Sequence, residues 1–146
     1  MKKIVLLIIT IFLICGCGKK ELFYLNDKYY NNGDYVNVTS NDIDYNNSYL
    51  LYTYNNFCAL PVHCEDIFKE VMEKYKIDIL SIPFNDFKNT NYYKTVKYAP
   101  SIIIVKNGEI VSYLDANSDK DLDKYQNTDK FINWLKEYIY LEKNNE

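Results

Sequence analysis

Residues 98–109 read Tyr-Ala-Pro-Ser-Ile-Ile-Ile-Val-Lys-Asn-Gly-Glu, and this stretch decides the fold. The apolar run at 101–105 predicts a β-strand, and a second β-rich run follows at 109–114. Asn107-Gly108 separates the two runs, and this dipeptide is the strongest short sequence signal for a β-hairpin. Pro100 stands just before the first strand, where a proline removes no hydrogen bond from the sheet. We therefore predict an antiparallel hairpin with a proline at its start.

The segments around the hairpin alternate between strand and helix patterns. Strands are predicted at 35–39, 49–54 and 77–82, a short helix within 40–48, and a loop or short helix at 85–98. Two longer helices each carry one apolar stripe: Ile67, Phe68, Val71, Met72 and Tyr75 in the first, and Phe131, Trp134, Leu135, Tyr138 and Ile139 in a closing helix at about 128–141. This order predicts one α/β domain whose parallel core is completed by the hairpin and the final helix.

The N-terminus predicts a lipoprotein signal peptide at residues 1–16. Lys2 and Lys3 precede an apolar run at 4–14, which is too short for a membrane-spanning helix of about 20 apolar residues. The run ends in Ile-Cys-Gly-Cys, which resembles the lipobox of bacterial lipoproteins with Cys17 as the acylated residue. The alternative is an ordinary signal peptide with two incidental cysteines. We expect a protein that a lipid at Cys17 anchors to the cell membrane, on its extracytoplasmic side.

This processing would leave residues 17–34 as a lipidated tether and residues 35–146 as the domain. Loss of Lys2 and Lys3 leaves 15 of the 17 lysines against 20 acidic residues, a net charge of about −5, and the chain has no arginine. A nucleic-acid binder needs a basic face, so the sequence excludes that class of partner. Cys58 and Cys64 remain as thiols, in a compartment where disulfides persist.

The sequence resembles the thioredoxin family over about residues 35–141. Thioredoxins carry a segment similar to 98–109, in which Pro-Thr precedes a buried strand and Lys-Asn-Gly-Glu follows it. The resemblance implies a thioredoxin-like fold, a central mixed sheet with helices on both faces, and a cis peptide bond at Pro100 beside the active-site thiol. A looser similarity is to thioredoxin-like and bacteriocin-transport accessory-type lipoproteins of low-GC Gram-positive bacteria.

The family's Trp-Cys-Gly-Pro-Cys motif corresponds to residues 57–61, which read Phe-Cys-Ala-Leu-Pro. Cys58 matches the attacking cysteine, whereas Pro61 replaces the resolving one and Tyr52 replaces a buried acid. The resemblance therefore implies a single-cysteine catalytic site at Cys58, with a substrate groove formed by Phe57, Pro61, Ala99 and Pro100.

The chemistry of Cys58 has two interpretations. If the helix starts at 59–61, backbone N–H groups and the helix dipole would lower the pKa of Cys58, and its thiolate would exchange with a protein or peptide thiol substrate in redox homeostasis of the cell envelope. The alternative is a non-catalytic binding or accessory lipoprotein that uses the groove and retains Cys58 as a small apolar residue.

A disulfide between Cys58 and Cys64 is not favoured, because six helical residues rise about 9 Å and a disulfide requires Cα atoms within about 7 Å. That disulfide stays possible if Cys58 lies in a loop.

Residues 115–123 place oxygen-bearing side chains at alternate positions, as in an EF-hand calcium loop. Lys120 stands where that loop needs glycine, and Gln126 stands where it needs glutamate. We interpret the segment as an acidic turn and helix cap, and we predict no metal and no cofactor.

Overall fold

The structure is a computed structural model that describes residues 21–55 and 63–143. Within these residues, five strands form one sheet in the order β1-β3-β2-β4-β5. The strands are β1 (Tyr35–Asn37), β2 (Tyr49–Tyr54), β3 (Ile79–Pro83), β4 (Ser101–Lys106) and β5 (Glu109–Tyr113). Strand β3 pairs in parallel with both β1 and β2, whereas β4 is antiparallel to β2 and to β5. The predicted mixed sheet is confirmed.

The hairpin between β4 and β5 turns at Asn107 and Gly108, as predicted. Both residues have positive φ angles, 49° and 79°, which is the geometry of a two-residue type I′ turn. A Cβ atom on Gly108 would lie 1.8 Å from the carbonyl oxygen of Tyr45. Glycine is therefore required here both for the turn and for the close approach of the neighbouring loop.

The described helices are α1 (Cys64–Tyr75), α2 (Phe84–Phe87), α3 (Leu122–Gln126) and α4 (Thr128–Leu135), with short 3-10 helices at Asp27–Tyr29, Ser40–Asp42 and Asn91–Lys94. Successive side chains of β2 point to opposite faces of the sheet. The Tyr52 ring contacts Phe68 of α1 on one face, whereas the Tyr49 hydroxyl lies 2.9 Å from that of Tyr92 on the other. Helical segments therefore cover both faces of the sheet.

Helix α1 begins later than a start at 59–61 would require. His63, the residue before the helix, has extended backbone angles of φ −68° and ψ 118°, and its carbonyl oxygen accepts the first-turn bond from the Asp66 N–H at 3.0 Å. An extended residue at this position ends any continuous helical hydrogen-bond pattern from the N-terminal side. The lowered pKa of Cys58 was expected for a helix that starts at residues 59–61, and α1 starts at Cys64 instead.

The closing helix ends at Leu135, although the sequence predicts it to continue to about 141. Beyond it, Ile139 forms a parallel β-bridge with Phe23, and Phe23 exchanges two 3.0 Å backbone hydrogen bonds with Tyr138 and Tyr140. The N-terminal segment thus supplies partners for backbone groups that would otherwise continue the helix. Leu25 and Tyr29 of the same segment are buried, so residues within the range assigned to the tether pack into the core.

A buried carboxylate fixes the loop that leads into β1. Asp78 Oδ1 accepts hydrogen bonds from the backbone N–H groups of Asn32, Gly33 and Asp34 at 3.2, 2.8 and 3.1 Å. Gly33 has a φ of 79°, and a Cβ atom there would lie 2.3 Å from the Met72 carbonyl oxygen. The loop is therefore held against the C-terminal end of α1.

Among the described residues, no helix has both the length and the apolar character to cross a membrane.

Candidate functional site

Residues 98–100, which we call the proline loop, lie directly before β4. The Ala99–Pro100 peptide bond is cis, which agrees with the sequence prediction. Pro100 is buried, Ala99 is half-buried, and the Tyr98 side chain next to them is 53% exposed. The Ser101 hydroxyl donates a 2.8 Å hydrogen bond to the Tyr98 carbonyl oxygen and closes the loop. Of the four predicted groove residues, Ala99 is therefore partly accessible beside the exposed Tyr98, whereas Pro100 lies inside.

The loop is also held from behind by Tyr125 of α3, a residue that the sequence analysis did not identify. Its hydroxyl lies 3.0 Å from the Pro100 carbonyl oxygen and 2.7 Å from that of Leu114. Burial raises the pKa of Tyr125, which keeps the phenol protonated and able to donate to these carbonyls. The sequence gives no signal for this role, since tyrosine is common throughout the chain. The role is visible only in the structure, where Tyr125 is fully buried between β4 and the end of β5.

The segment that contains the predicted nucleophile starts beside this loop. The Asn55 side-chain amide donates a 3.1 Å hydrogen bond to the Ala99 carbonyl oxygen, and Asn55 directly follows β2. Cys58, Phe57 and Pro61 lie outside the described residues, as does the predicted lipidation residue Cys17. Cys58 is three residues after Asn55, a separation that spans at most about 10 Å.

Cys64 is the first residue of α1, and its side chain is 1% exposed, as the prediction of a core thiol requires. Its Sγ lies 3.7 Å from the Tyr52 hydroxyl, which also donates a 3.1 Å hydrogen bond to Glu65 Oε1. Since the Tyr52 proton goes to the carboxylate, the Cys64 thiol is the donor to the Tyr52 oxygen. These contacts fix the buried Cys64 side chain beside Tyr52.

The later start of α1 changes the argument about a disulfide between Cys58 and Cys64. The expected separation assumed a continuous helix from Cys58 to Cys64, and His63 between them is extended. Helix rise alone therefore no longer excludes the pair. Cys58 lies outside the described residues, so the disulfide stays an alternative.

Tyr52 occupies the position at which the resemblance places a buried acid. Burial raises the pKa of Tyr52, and repulsion from Cys64 and Glu65 adds to this shift. Burial also raises the pKa of Tyr35, whose hydroxyl donates a 3.3 Å hydrogen bond to the Glu65 backbone carbonyl. Both phenols therefore stay neutral at physiological pH, and neither provides a base for a neighbouring thiol.

The described residues contain no group of three or more His, Cys, Asp and Glu side chains that would hold a metal ion. In the acidic segment, Asp121 accepts a 3.1 Å hydrogen bond from the Asp115 N–H and pairs with Lys124 at 3.0 Å. These carboxylate contacts stabilise the turn before α3, a helix that the sequence analysis did not separate from the segment.

The structure is similar to solved thioredoxins. It matches a single-substitution mutant of thioredoxin from Halobacterium salinarum NRC-1 with a TM-score of 0.48 and 15% identity, over 63% of this chain and 86% of that chain. It matches thioredoxin f from spinach chloroplast with a TM-score of 0.47 and 18% identity, over 73% of this chain and 96% of that chain. No protein-family model matches the sequence, and no curated protein matches it. The five-stranded mixed sheet with helices on both faces fits an α/β thioredoxin-like fold.

Proposed function

We propose that this protein is a lipid-anchored, extracytoplasmic thiol–disulfide exchange protein of the cell envelope, with Cys58 as its reacting residue. The lipid anchor at Cys17 and the membrane location come from the signal-peptide pattern. The reacting residue comes from the resemblance of residues 57–61 to the thioredoxin motif. One observation in the structure supports the site: the Asn55 amide bonds the Ala99 carbonyl oxygen and links the Cys58 segment to the cis-proline loop.

The proposed reaction is a balanced exchange of one disulfide for another. The Cys58 thiolate attacks one sulfur of a substrate disulfide, the substrate S–S bond breaks, and the departing sulfur leaves as a thiolate that takes a proton from water. The product is a mixed disulfide between Cys58 and the substrate. Attack by a second thiol on the substrate sulfur of this bond regenerates Cys58.

That second thiol comes from outside the protein. Pro61 has no thiol, and Cys64 is buried with its Sγ 3.7 Å from the Tyr52 hydroxyl. A small thiol or a partner protein would release the adduct, so the mixed disulfide with Cys58 should be long-lived when external thiols are removed.

The exposed side of the proline loop supports a choice of substrate class. Tyr98 and Ala99 border the proline loop on its accessible side, and an extended peptide lying there would meet backbone groups as well as the Tyr98 ring. A protein or peptide disulfide is therefore the proposed substrate class.

The test uses purified full-length protein and a peptide that contains one disulfide. Mass spectrometry after an acid quench should detect a peptide adduct on wild-type protein and on Cys64→Ala, and no adduct on Cys58→Ser. An adduct on Cys64 would show that Cys64, and not Cys58, is the reacting thiol. Failure of all three proteins to form an adduct would reject exchange and favour the non-catalytic binding protein.

A further inference from the structure

A small pocket lies on the sheet face that α1 covers. It has a volume of about 220 Å³ and is lined by Tyr35, Asn37, Tyr52, Tyr54, Glu65 and Ser81, which we call the tyrosine–glutamate pocket. Pockets for drug-sized molecules are larger, about 300–1,000 Å³. This volume fits a single side chain.

The walls of the pocket suit a long aliphatic chain. The Tyr35 and Tyr52 rings have centroids 5.8 Å apart, and the Tyr52 and Tyr54 rings are stacked at the same separation. Tyr52 is buried between the half-buried Tyr35 and Tyr54 rings, so the accessible apolar walls are those of Tyr35 and Tyr54. An alkyl chain that lies along such rings removes apolar area from water on both sides.

The polar groups of the pocket suit a cation at the end of that chain. The lining contains one carboxylate, Glu65, and no cationic residue. Within residues 21–55 and 63–143, no lysine or histidine forms an ion pair with Glu65. The amide of Asn37 and the hydroxyl of Ser81 supply further oxygen acceptors in the same lining.

The geometry of Glu65 distinguishes between the two cationic side chains. Its Oε1 already accepts the Tyr52 hydroxyl at 3.1 Å. A guanidinium binds a carboxylate best through two parallel hydrogen bonds and would compete with Tyr52 for that oxygen. An ammonium is a compact point charge with three donors, which one carboxylate oxygen and one or two neutral oxygens satisfy. The carboxylate therefore favours an ammonium.

The position of the pocket indicates that the cation belongs to a polypeptide. Tyr54 lines the pocket and is followed directly by Asn55, whose side chain contacts the Ala99 carbonyl oxygen of the proline loop. A chain that binds along the loop therefore passes within a residue or two of the pocket. We propose that the tyrosine–glutamate pocket binds a lysine side chain of the polypeptide that occupies the proline loop.

The choice of a polypeptide rests on the proposed function, whereas the preference for an alkylammonium rests on the pocket alone. The two parts are tested separately. Nuclear magnetic resonance titration of full-length protein with N-acetyl-lysine methylamide measures the pocket without any disulfide chemistry. Saturable shifts should appear at Tyr35, Tyr54 and Glu65, and should be absent with N-acetyl-norleucine methylamide, which has the same chain length without the charge.

The matched variants are Glu65→Gln and Glu109→Gln, which remove the same charge at the pocket and on the edge strand β5. We expect Glu65→Gln to weaken binding of the lysine probe by about fivefold to tenfold, the effect of about 1 kcal/mol or slightly more, and Glu109→Gln to leave it unchanged. Equal binding of the norleucine probe, undiminished binding to Glu65→Gln, or an equal loss in Glu109→Gln would overturn the proposal.

The variant Cys58→Ser separates this proposal from the thiol chemistry. It should bind the lysine probe as wild type does, even though it forms no mixed disulfide. The polypeptide part is tested with two disulfide peptides that differ only in lysine or norleucine next to the cysteine. Faster adduct formation with the lysine peptide, lost in Glu65→Gln, supports it, whereas equal rates with both peptides overturn it.

Discussion

At the scale of single residues, Tyr52 joins the core to the surface. Its hydroxyl lies within hydrogen-bond distance of the Cys64 Sγ and donates a hydrogen bond to Glu65. One hydroxyl therefore contacts a buried cysteine and orients a carboxylate of the pocket. The sequence identified Tyr52 only as a replacement for a buried acid. Its partners could not be predicted, because they depend on where α1 starts, and His63 shifts that start to Cys64.

The substitution Tyr52→Phe removes this hydroxyl and leaves the ring in place. The free energy of unfolding should fall by about 1–2 kcal/mol, since the buried Cys64 thiol loses its acceptor and Glu65 loses a donor. Urea denaturation followed by circular dichroism measures the change. Tyr54→Phe, two residues along the same strand, is the matched control and should alter stability by less than about 0.5 kcal/mol. Equal losses in both variants would contradict the proposed hydrogen-bond chain.

At the scale of elements, short-range patterns predicted the structure well and long-range contacts changed it. The hairpin at Asn107-Gly108, the strand at 49–54 and the burial of Cys64 all follow from local patterns and are confirmed. The closing helix was predicted too long, because its amphipathic pattern continues to Ile139 while Phe23 takes the backbone bonds there. A partner more than one hundred residues away leaves no signal in a local pattern.

The contact between the Gly33 loop and α1 gives a second test. Gly33→Ala should lower the free energy of unfolding by at least about 1–3 kcal/mol, because the residue has a positive φ and its Cβ would lie 2.3 Å from the Met72 carbonyl oxygen. Thermal unfolding followed by circular dichroism measures the loss. Asn32→Ala, at an exposed neighbouring position whose N–H bond to Asp78 is retained, should have little effect. A stable Gly33→Ala protein would show that this loop is not held against α1.

At the scale of the whole molecule, buried tyrosines set an alkaline limit on stability. The Tyr92 hydroxyl donates to the Gly108 carbonyl oxygen at 3.0 Å, so the Tyr49 hydroxyl donates to Tyr92. Burial raises the pKa of Tyr92 to about 12 and raises that of Tyr49 further. The folded state therefore keeps these protons at a pH where the unfolded chain, with tyrosine pKa values near 10, has lost them.

This difference predicts the sign of the pH dependence. The stabilisation from each raised pKa is complete below about pH 10, and it is lost as the pH rises through the folded-state pKa, about 12 for Tyr92. Each such tyrosine should reduce the free energy of unfolding by about 1.4 kcal/mol per pH unit in this window. Chemical denaturation at several pH values measures the slope, which should be shallower in Tyr92→Phe. Constant stability from pH 9 to 12 would contradict the burial of these phenols.

The proposed lipid anchor at Cys17 would place the whole domain at the membrane. The described residues begin at Glu21, four residues after Cys17, and four residues span at most about 14 Å, so a lipid at Cys17 would keep the domain close to the membrane. In bacterial cells, wild-type protein should fractionate with membranes and Cys17→Ser should not, as detected by immunoblotting. Membrane recovery of Cys17→Ser equal to that of wild type would reject lipidation at this residue.

Residues 98–109 predicted the hairpin and the proline loop, whereas the proposed chemistry depends on Cys58, which lies outside the described residues. The most direct measurement is therefore capture of mixed disulfides in cells that are quenched with acid and analysed without reduction. We expect adducts on wild type and on Cys64→Ala that disappear with reductant and are absent from Cys58→Ser. Adducts that persist in Cys58→Ser, or wild-type protein that carries none, would contradict thiol exchange at Cys58.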